Sequence, residues 1–191
     1  MSTPIHAVHY GFREYLSLES ASNVKHEYLG GQIYAMAGGS PEHAALQLAV
    51  PNLLFPQLRT GRCRAYGSDL RIRVLATGLA TYPDVTIICG TREADPEDKN
   101  SVTNPTLLVE VLSPSTEDYD RGEKFAHYKR IPALRQFVLV SQGARSVEVW
   151  TRDHADGWSR VVSNDGDVAD LGSIDARLDV RELYEAASER A

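Results

Sequence analysis

The chain has 191 residues, 42% of them hydrophobic and 24% charged, with a formal net charge of -6. That length suits one domain over residues 1–191, able to bury a core without disulfide staples. Two cysteines, Cys63 and Cys89, imply no disulfide framework and exclude a zinc site of several thiolates; no apolar run approaches the roughly 20 residues of a membrane span.

Met1-Ser2-Thr3-Pro4-Ile5-His6 lacks the basic-then-apolar pattern of an export signal, so a reducing cytoplasm is expected. Residues 10–20 carry a partial apolar helical face in Phe12, Tyr15, Leu16 and Leu18. Glu27 to Met36 reads as a hairpin turning at Gly30-Gly31. A helix opens at Ser40-Pro41-Glu42-His43, with Ser40 as N-cap, Pro41 in the first position and Glu42 complementing the dipole. Pro51 lies inside its span, so this helix either bends there or ends early, with Pro56 beginning another turn.

Cys63 to Leu75 reads as a strand, with Leu70, Ile72 and Val74 alternating against Asp69, Arg71 and Arg73. A second strand covers Tyr82 to Cys89, and the polar stretch Thr91–Asn104 reads as an exposed loop. Leu107-Leu108-Val109-Glu110-Val111-Leu112 is a third strand, short, branched-aliphatic and bounded by Pro105 and Ser113-Pro114. A helix from about Thr116 to Arg130 stops before Pro132. Gln136 to Val140 is a wholly apolar fourth strand. A hairpin pairing Ser146–Thr151 with Trp158–Ser163 across Asp156-Gly157 extends the sheet. The tail offers Leu171, Ile174, Leu178, Val180, Leu183 and Tyr184 as short elements packing over one edge. The order helix, three strands, helix, strand predicts an α/β fold with a mixed sheet.

The chemistry centres on Glu110. An ionised carboxylate in a buried strand costs several kcal/mol unless something compensates it. A divalent cation would do so and would also supply a reaction; an ion pair with Arg71 or Arg73 is the alternative. Asp84, directly after Pro83, begins the second strand. Period-two alternation lets it aim at the same side as Glu110. Two carboxylates and a main-chain carbonyl such as that of Val111 make a hard-oxygen site suited to Mg²⁺ or Mn²⁺. Asp120, Lys124 and Tyr128, at i, i+4 and i+8, form one stripe of the following helix. A lysine beside such a metal could orient an attacking water during phosphodiester hydrolysis.

Two basic stretches, Arg59–Arg73 and Arg121–Arg135, mark either a polyanion track or solvated faces. Arg71, Arg73 and Arg121 are the candidate nucleic-acid contacts; Asp69 is expected to pair with Arg71 or Arg64. Other enzyme classes find little support. His26-Glu27 lacks the second histidine of a zinc protease helix, and there is no Gly-x-Ser-x-Gly turn, phosphate-binding Gly-rich loop or dinucleotide fingerprint.

Several segments together resemble the PD-(D/E)XK nuclease superfamily, and within it the small bacterial restriction-endonuclease-like proteins of the Uma type. They are Glu27–Tyr34, Gly38-Gly39-Ser40-Pro41-Glu42-His43, Gly67-Ser68-Asp69-Leu70-Arg71, Tyr82-Pro83-Asp84-Val85, Val109–Thr116 and Asp120-Arg121-Gly122-Glu123-Lys124-Phe125. The resemblance implies a restriction-endonuclease-like core with an added C-terminal hairpin. It implies Mg²⁺, replaceable by Mn²⁺, on Asp84 and Glu110. Leu112 stands where the superfamily motif has lysine, so the resemblance points to Lys124 on the next helix. Glu27 and His43 match family positions near the site, as a second shell or additional ligand. The expected activity is DNA cleavage, by a homodimer if both strands are cut. The alternative is a non-catalytic DNA- or protein-binding module of the same fold.

Overall fold

The computed structural model describes residues 8–36, 38–155 and 157–188. Met1–His6 and the Asp156 half of the expected Asp156-Gly157 turn lie outside them. Helix α1 (Phe12–Ala21) leads into the hairpin of β1 (His26–Leu29) and β2 (Gln32–Ala35). Gly30 and Gly31 turn it with φ of 57° and 83°, the left-handed region that two-residue hairpin turns demand and side chains disfavour.

Helix α2 (Pro41–Leu58) starts where expected, the Ser40 hydroxyl accepting from the His43 backbone N–H at 3.2 Å. It neither ends early nor gives way at Pro56: both Pro51 and Pro56 lie within it. An interior proline costs about 3 kcal/mol. The buried face of Leu46, Ala49, Val50, Leu54 and Leu58 outweighs this, since each large apolar side chain contributes about 1.5–3 kcal/mol.

The expected strand Cys63–Leu75 is two strands in two different sheets. Strand β3 (Cys63–Gly67) ends in a turn, the Leu70 N–H donating to the Gly67 carbonyl, and β4 (Arg71–Val74) then pairs with β5 (Leu79–Thr81). Strand β6 (Val85–Cys89) follows, and the loop expected at 91–104 contains the short β7 (Ser101–Val102). Next come β8 (Leu107–Leu112), a helical segment of α3 (Glu117–Tyr119), a π turn (Asp120–Lys124) and α4 (Phe125–Tyr128), and β9 (Gln136–Ser141). The chain continues through β10 (Ser146–Arg152), β11 (Trp158–Asn164), β12 (Val168–Leu171), β13 (Ala176–Asp179) and α5 (Val180–Ala187).

Six strands form the main sheet in the order β11-β10-β9-β8-β6-β3, and five form a second in the order β2-β1-β5-β4-β7. Only the β8–β9 pair is parallel in the main sheet. A parallel pair needs a crossover, and the helical segment α3–α4 supplies it. The architecture is therefore the expected mixed sheet with helix, three strands, helix, strand at its centre and a hairpin added at one edge.

Alternation along β8 divides two cores. Leu107, Val109 and Val111 pack under α2, α5 and the β12–β13 pair. Leu108 and Leu112 face Phe125, Tyr128 and Phe137 on the other side, with Ile72, Val74 and Leu79 of the second sheet. Glu110 shares this second face, by period two. Cys63 and Cys89, expected as separate thiols, stand directly opposite each other in the β3–β6 register and are disulfide-bonded. A separation of 26 residues did not reveal what strand pairing brings together.

Candidate active site

Strand register assembles the site. Val85 pairs with Val109 in the antiparallel β6–β8 ladder, so Asp84, one residue earlier, comes opposite Glu110. Both line one cleft of about 610 Å³, together with Glu27, His43, Asp120 and Lys124.

Glu110 is 4% exposed and Lys124 5%. The Lys124 ammonium lies 3.0 Å from Glu110 Oε1, 3.2 Å from Glu27 Oε1 and 3.3 Å from Asp120 Oδ1. The Tyr128 hydroxyl donates to Glu110 Oε1 at 2.7 Å. The expected stripe of Asp120, Lys124 and Tyr128 is thus buried beside Glu110, Lys124 and Tyr128 touching it and Asp120 touching Lys124. The π turn helps to align it. In an α-helix each fourth residue runs about 40° past a full turn; the wider turn over Asp120–Lys124 takes part of that drift back. Such turns recur at functional sites.

Glu27, on β1, also accepts hydrogen bonds from the Thr81 hydroxyl and, at 3.1 Å, from the Tyr119 hydroxyl. Asp84 is held separately: Gln47 Nε2 donates to Oδ1 at 2.8 Å, the Val111 N–H donates to Oδ2 at 2.7 Å, and His43 Nε2 lies 3.3 Å from Oδ2. Val111 therefore meets Asp84 through its amide. Gln47, Thr81 and Tyr119 escaped the sequence reading. Gln47 could have been found, being four residues from His43 on the same helix face; Thr81 and Tyr119 arrive from separate elements and gave no local signal.

Three carboxylates, Glu27, Glu110 and Asp120, surround one ammonium, and a fourth, Asp84, lines the same cleft. Burial pushes the Glu110 carboxyl up to about 8, Lys124 pulling down and Asp120 and Asp84 adding to the rise. Burial likewise raises Asp120. For Lys124 burial acts downward, but Glu110, Tyr128, Glu27 and Asp120 more than offset it and hold the ammonium well above the ordinary lysine range. The hydrogen bond to Asp84 raises His43. One cation does not balance this many acids, and burial raises the carboxyls of Glu110 and Asp120.

That imbalance, with oxygen donors throughout, suits a hard divalent cation. Among the described residues there is no group of three or more His, Cys, Asp or Glu placed to hold a metal ion. Asp84 and Glu110, two carboxylates lining one cleft, are the donor type by which Mg²⁺ is commonly bound, with several waters retained.

The basic track is corrected. Arg71 is buried, bonded to Asp98, Ser101 and the Tyr82 hydroxyl. Arg73 lies over the Phe12 ring at 3.7 Å and 3.8 Å from Asp95. Neither strand arginine reaches a surface track, because both are covered by the rings of α1, Arg71 by Tyr15 and Arg73 by Phe12, and engaged by Asp98 and Asp95. Nor does either pair with Glu110. Arg121 is half-buried and held by Glu117 and Glu148. Asp69 pairs with Lys25 at 2.7 Å, not with Arg71 or Arg64. Arg71→Ala is accordingly expected to lower stability by about 3–5 kcal/mol, leaving Asp98 buried and unpaired. Urea unfolding checks it, and a wild-type midpoint would show the pair to be idle.

The chain has relatives. The protein slr1290 of Synechocystis sp. (strain ATCC 27184 / PCC 6803 / Kazusa), described as uncharacterized, is 38% identical over 174 residues, 90% of this chain and 89% of that one. The protein sll1609 of the same organism, also described as uncharacterized, is 33% identical over 135 residues, 71% of this chain and 76% of that one. A crystal structure from Anabaena variabilis ATCC 29413, described as "a putative nuclease belonging to DUF820", superposes with a TM-score of 0.71 at 18% identity. The match covers 92% of this chain and 98% of that one, and it bears out the expected restriction-endonuclease-like fold. No helix among the described residues is long and apolar enough to cross a membrane. The Uma2 family, described as "Putative restriction endonuclease", has a model that matches residues 12–180, and this chain belongs to that family.

Proposed function

We propose that the protein is a divalent-metal-dependent nuclease that hydrolyses phosphodiester bonds of DNA, with Asp84 and Glu110 holding Mg²⁺. Residues 1–191 act as one unit, in the cytoplasm where bacterial DNA lies. The observation that carries the reading is the buried excess of carboxylates around Lys124, sharing a cleft with Asp84. The metal would supply Lewis-acid stabilisation of charge developing on the phosphate oxygens.

The chain's own residues do the rest. Gln47 and the Val111 N–H hold the Asp84 carboxylate in place, one on each oxygen. Tyr128 and Lys124 orient Glu110. The Lys124 ammonium, held beside Glu110, would donate to an attacking water or a phosphate oxygen. Glu27 and Asp120 hold that ammonium in place. Cutting both strands of a duplex would call for two copies of the chain.

Plasmid and a single-stranded oligonucleotide, each incubated with Mg²⁺ or Mn²⁺, test the proposal. Asp84→Ala, Glu110→Ala and Lys124→Ala are each expected to reduce cleavage by at least about a hundredfold. Equal rates for all four proteins would overturn it.

A second reading, a module that binds DNA or a protein without cutting, draws on one feature: Asp84 and Glu110 already have protein partners at both positions. Calorimetric titration with Mn²⁺ separates the two. The nuclease reading expects binding that Asp84→Ala abolishes, and the second expects none.

A further inference from the structure

We propose that the cleft takes single-stranded DNA in preference to duplex, with an unpaired base stacked on Tyr34. This inference rests on the nuclease reading and adds the form of the substrate.

The first support is where the cations are. Among the described residues lining the cleft, Lys124 is the sole Lys or Arg, and it is buried among acids. Of the exposed arginines, Arg59, Arg62 and Arg135 lie at the other end of the sheet, and Arg145, in the turn after the cleft residue Gln142, is paired with Asp165. Arg59 follows the C-terminus of α2, about 27 Å along the helix axis from the cleft-side N-terminus. Arg62 precedes the Cys63–Cys89 pair, at the end of the β3–β6 ladder remote from Val85. Arg135 precedes the Gln136–Leu107 pair, at the start of β8. Duplex DNA carries one negative charge per about 1.7 Å of axis and binds chiefly by releasing counterions to Lys and Arg. Among the described residues that line the cleft there is no such row of cations to offer it.

The second support is what the mouth offers instead. Tyr34 pairs with Glu27 in the β1–β2 register. Directly opposed residues of an antiparallel pair share a face, with Cβ atoms about 5 Å apart. One partner, Glu27, is buried against Lys124. The other is 54% exposed on the cleft wall. Register thus sets an uncovered aromatic ring next to the carboxylate cluster. Aromatic platforms bind single strands through base stacking, worth about 1–3 kcal/mol per base and tolerant of sequence. In intact duplex both faces of an interior base are already stacked, leaving Tyr34 nothing to meet.

Fluorescence anisotropy of a labelled oligonucleotide, alone and annealed to its complement, tests this in Ca²⁺ buffer with the full chain. The single strand is expected to bind at least about tenfold more tightly than the duplex. Tyr34→Ala is expected to weaken single-strand binding by about tenfold. Tyr34→Phe keeps the ring and should match wild type, and duplex binding should be the same in all three proteins. Tighter duplex binding, or a Tyr34→Ala protein with wild-type single-strand affinity, would overturn the inference and leave the nuclease reading standing. Binding of neither form would sink both.

Discussion

Lys124→Ala is expected to destabilise the metal-free protein by about 3–5 kcal/mol, because it strips the counter-charge from several buried acids at once. For a chain of this size that lowers the midpoint of thermal unfolding by roughly 10 °C. The loss should depend on pH in a defined direction. Without the ammonium, Glu110 and Asp120, already raised by burial, hold their protons more tightly in the folded state. Folding then becomes more favourable as pH falls, so the deficit should be large at pH 8 and smaller at pH 5. Lys124→Met keeps most of the apolar stem and controls for packing. Melting curves in EDTA at the two pH values decide the matter. A deficit of equal size at both would mean that lost packing, rather than unbalanced charge, is responsible.

Glu110→Gln is expected to change the shape of the stability–pH curve in the opposite sense to its effect on activity. The Glu110 carboxyl rises from an ordinary 4.5 to about 8, chiefly through burial. Its folded value therefore lies above its unfolded one. Below pH 4.5 the group is protonated in both states and contributes no slope. Between 4.5 and 8 the unfolded chain ionises while the folded protein keeps its proton, so stability falls as pH rises, by a few kcal/mol in all. Above about 8 the slope from this group ends. Glutamine removes this dependence and keeps an oxygen for Tyr128. In EDTA at pH 9 the variant should be more stable than wild type, although on the proposed function it would not cleave DNA. Urea unfolding between pH 5 and 9 measures it, and parallel curves for the two proteins would refute it. The same acid that would hold the metal is thus a liability to the metal-free fold, the pattern of a site selected for something other than stability.

The local pattern of the chain carried a great deal of this. The apolar run interrupted by Glu110 identified a central strand and its anomalous charge together, because burial on both faces is visible as unbroken hydrophobicity. The stripe of Asp120, Lys124 and Tyr128 was legible because helical periodicity needs only spacing. Ser40 and Pro41 marked the start of α2 through capping chemistry that is local by nature.

What the tertiary structure decided is which of the remaining charges meet. Arg71 and Arg73 alternate with apolar residues in a way that reads as an exposed face. Yet β4 leaves the main sheet after Gly67, and its arginines are consumed by Asp98 and Asp95. The Cys63–Cys89 bond and the Tyr34–Glu27 pair depend on register, which local composition does not encode. Gln47, on α2, needed Asp84 to arrive from the start of β6. Periodicity and capping are set within a few residues of chain and so survive in one dimension; ion pairing and register are set by contacts between distant segments, whose energies compete and are settled when the sheets assemble.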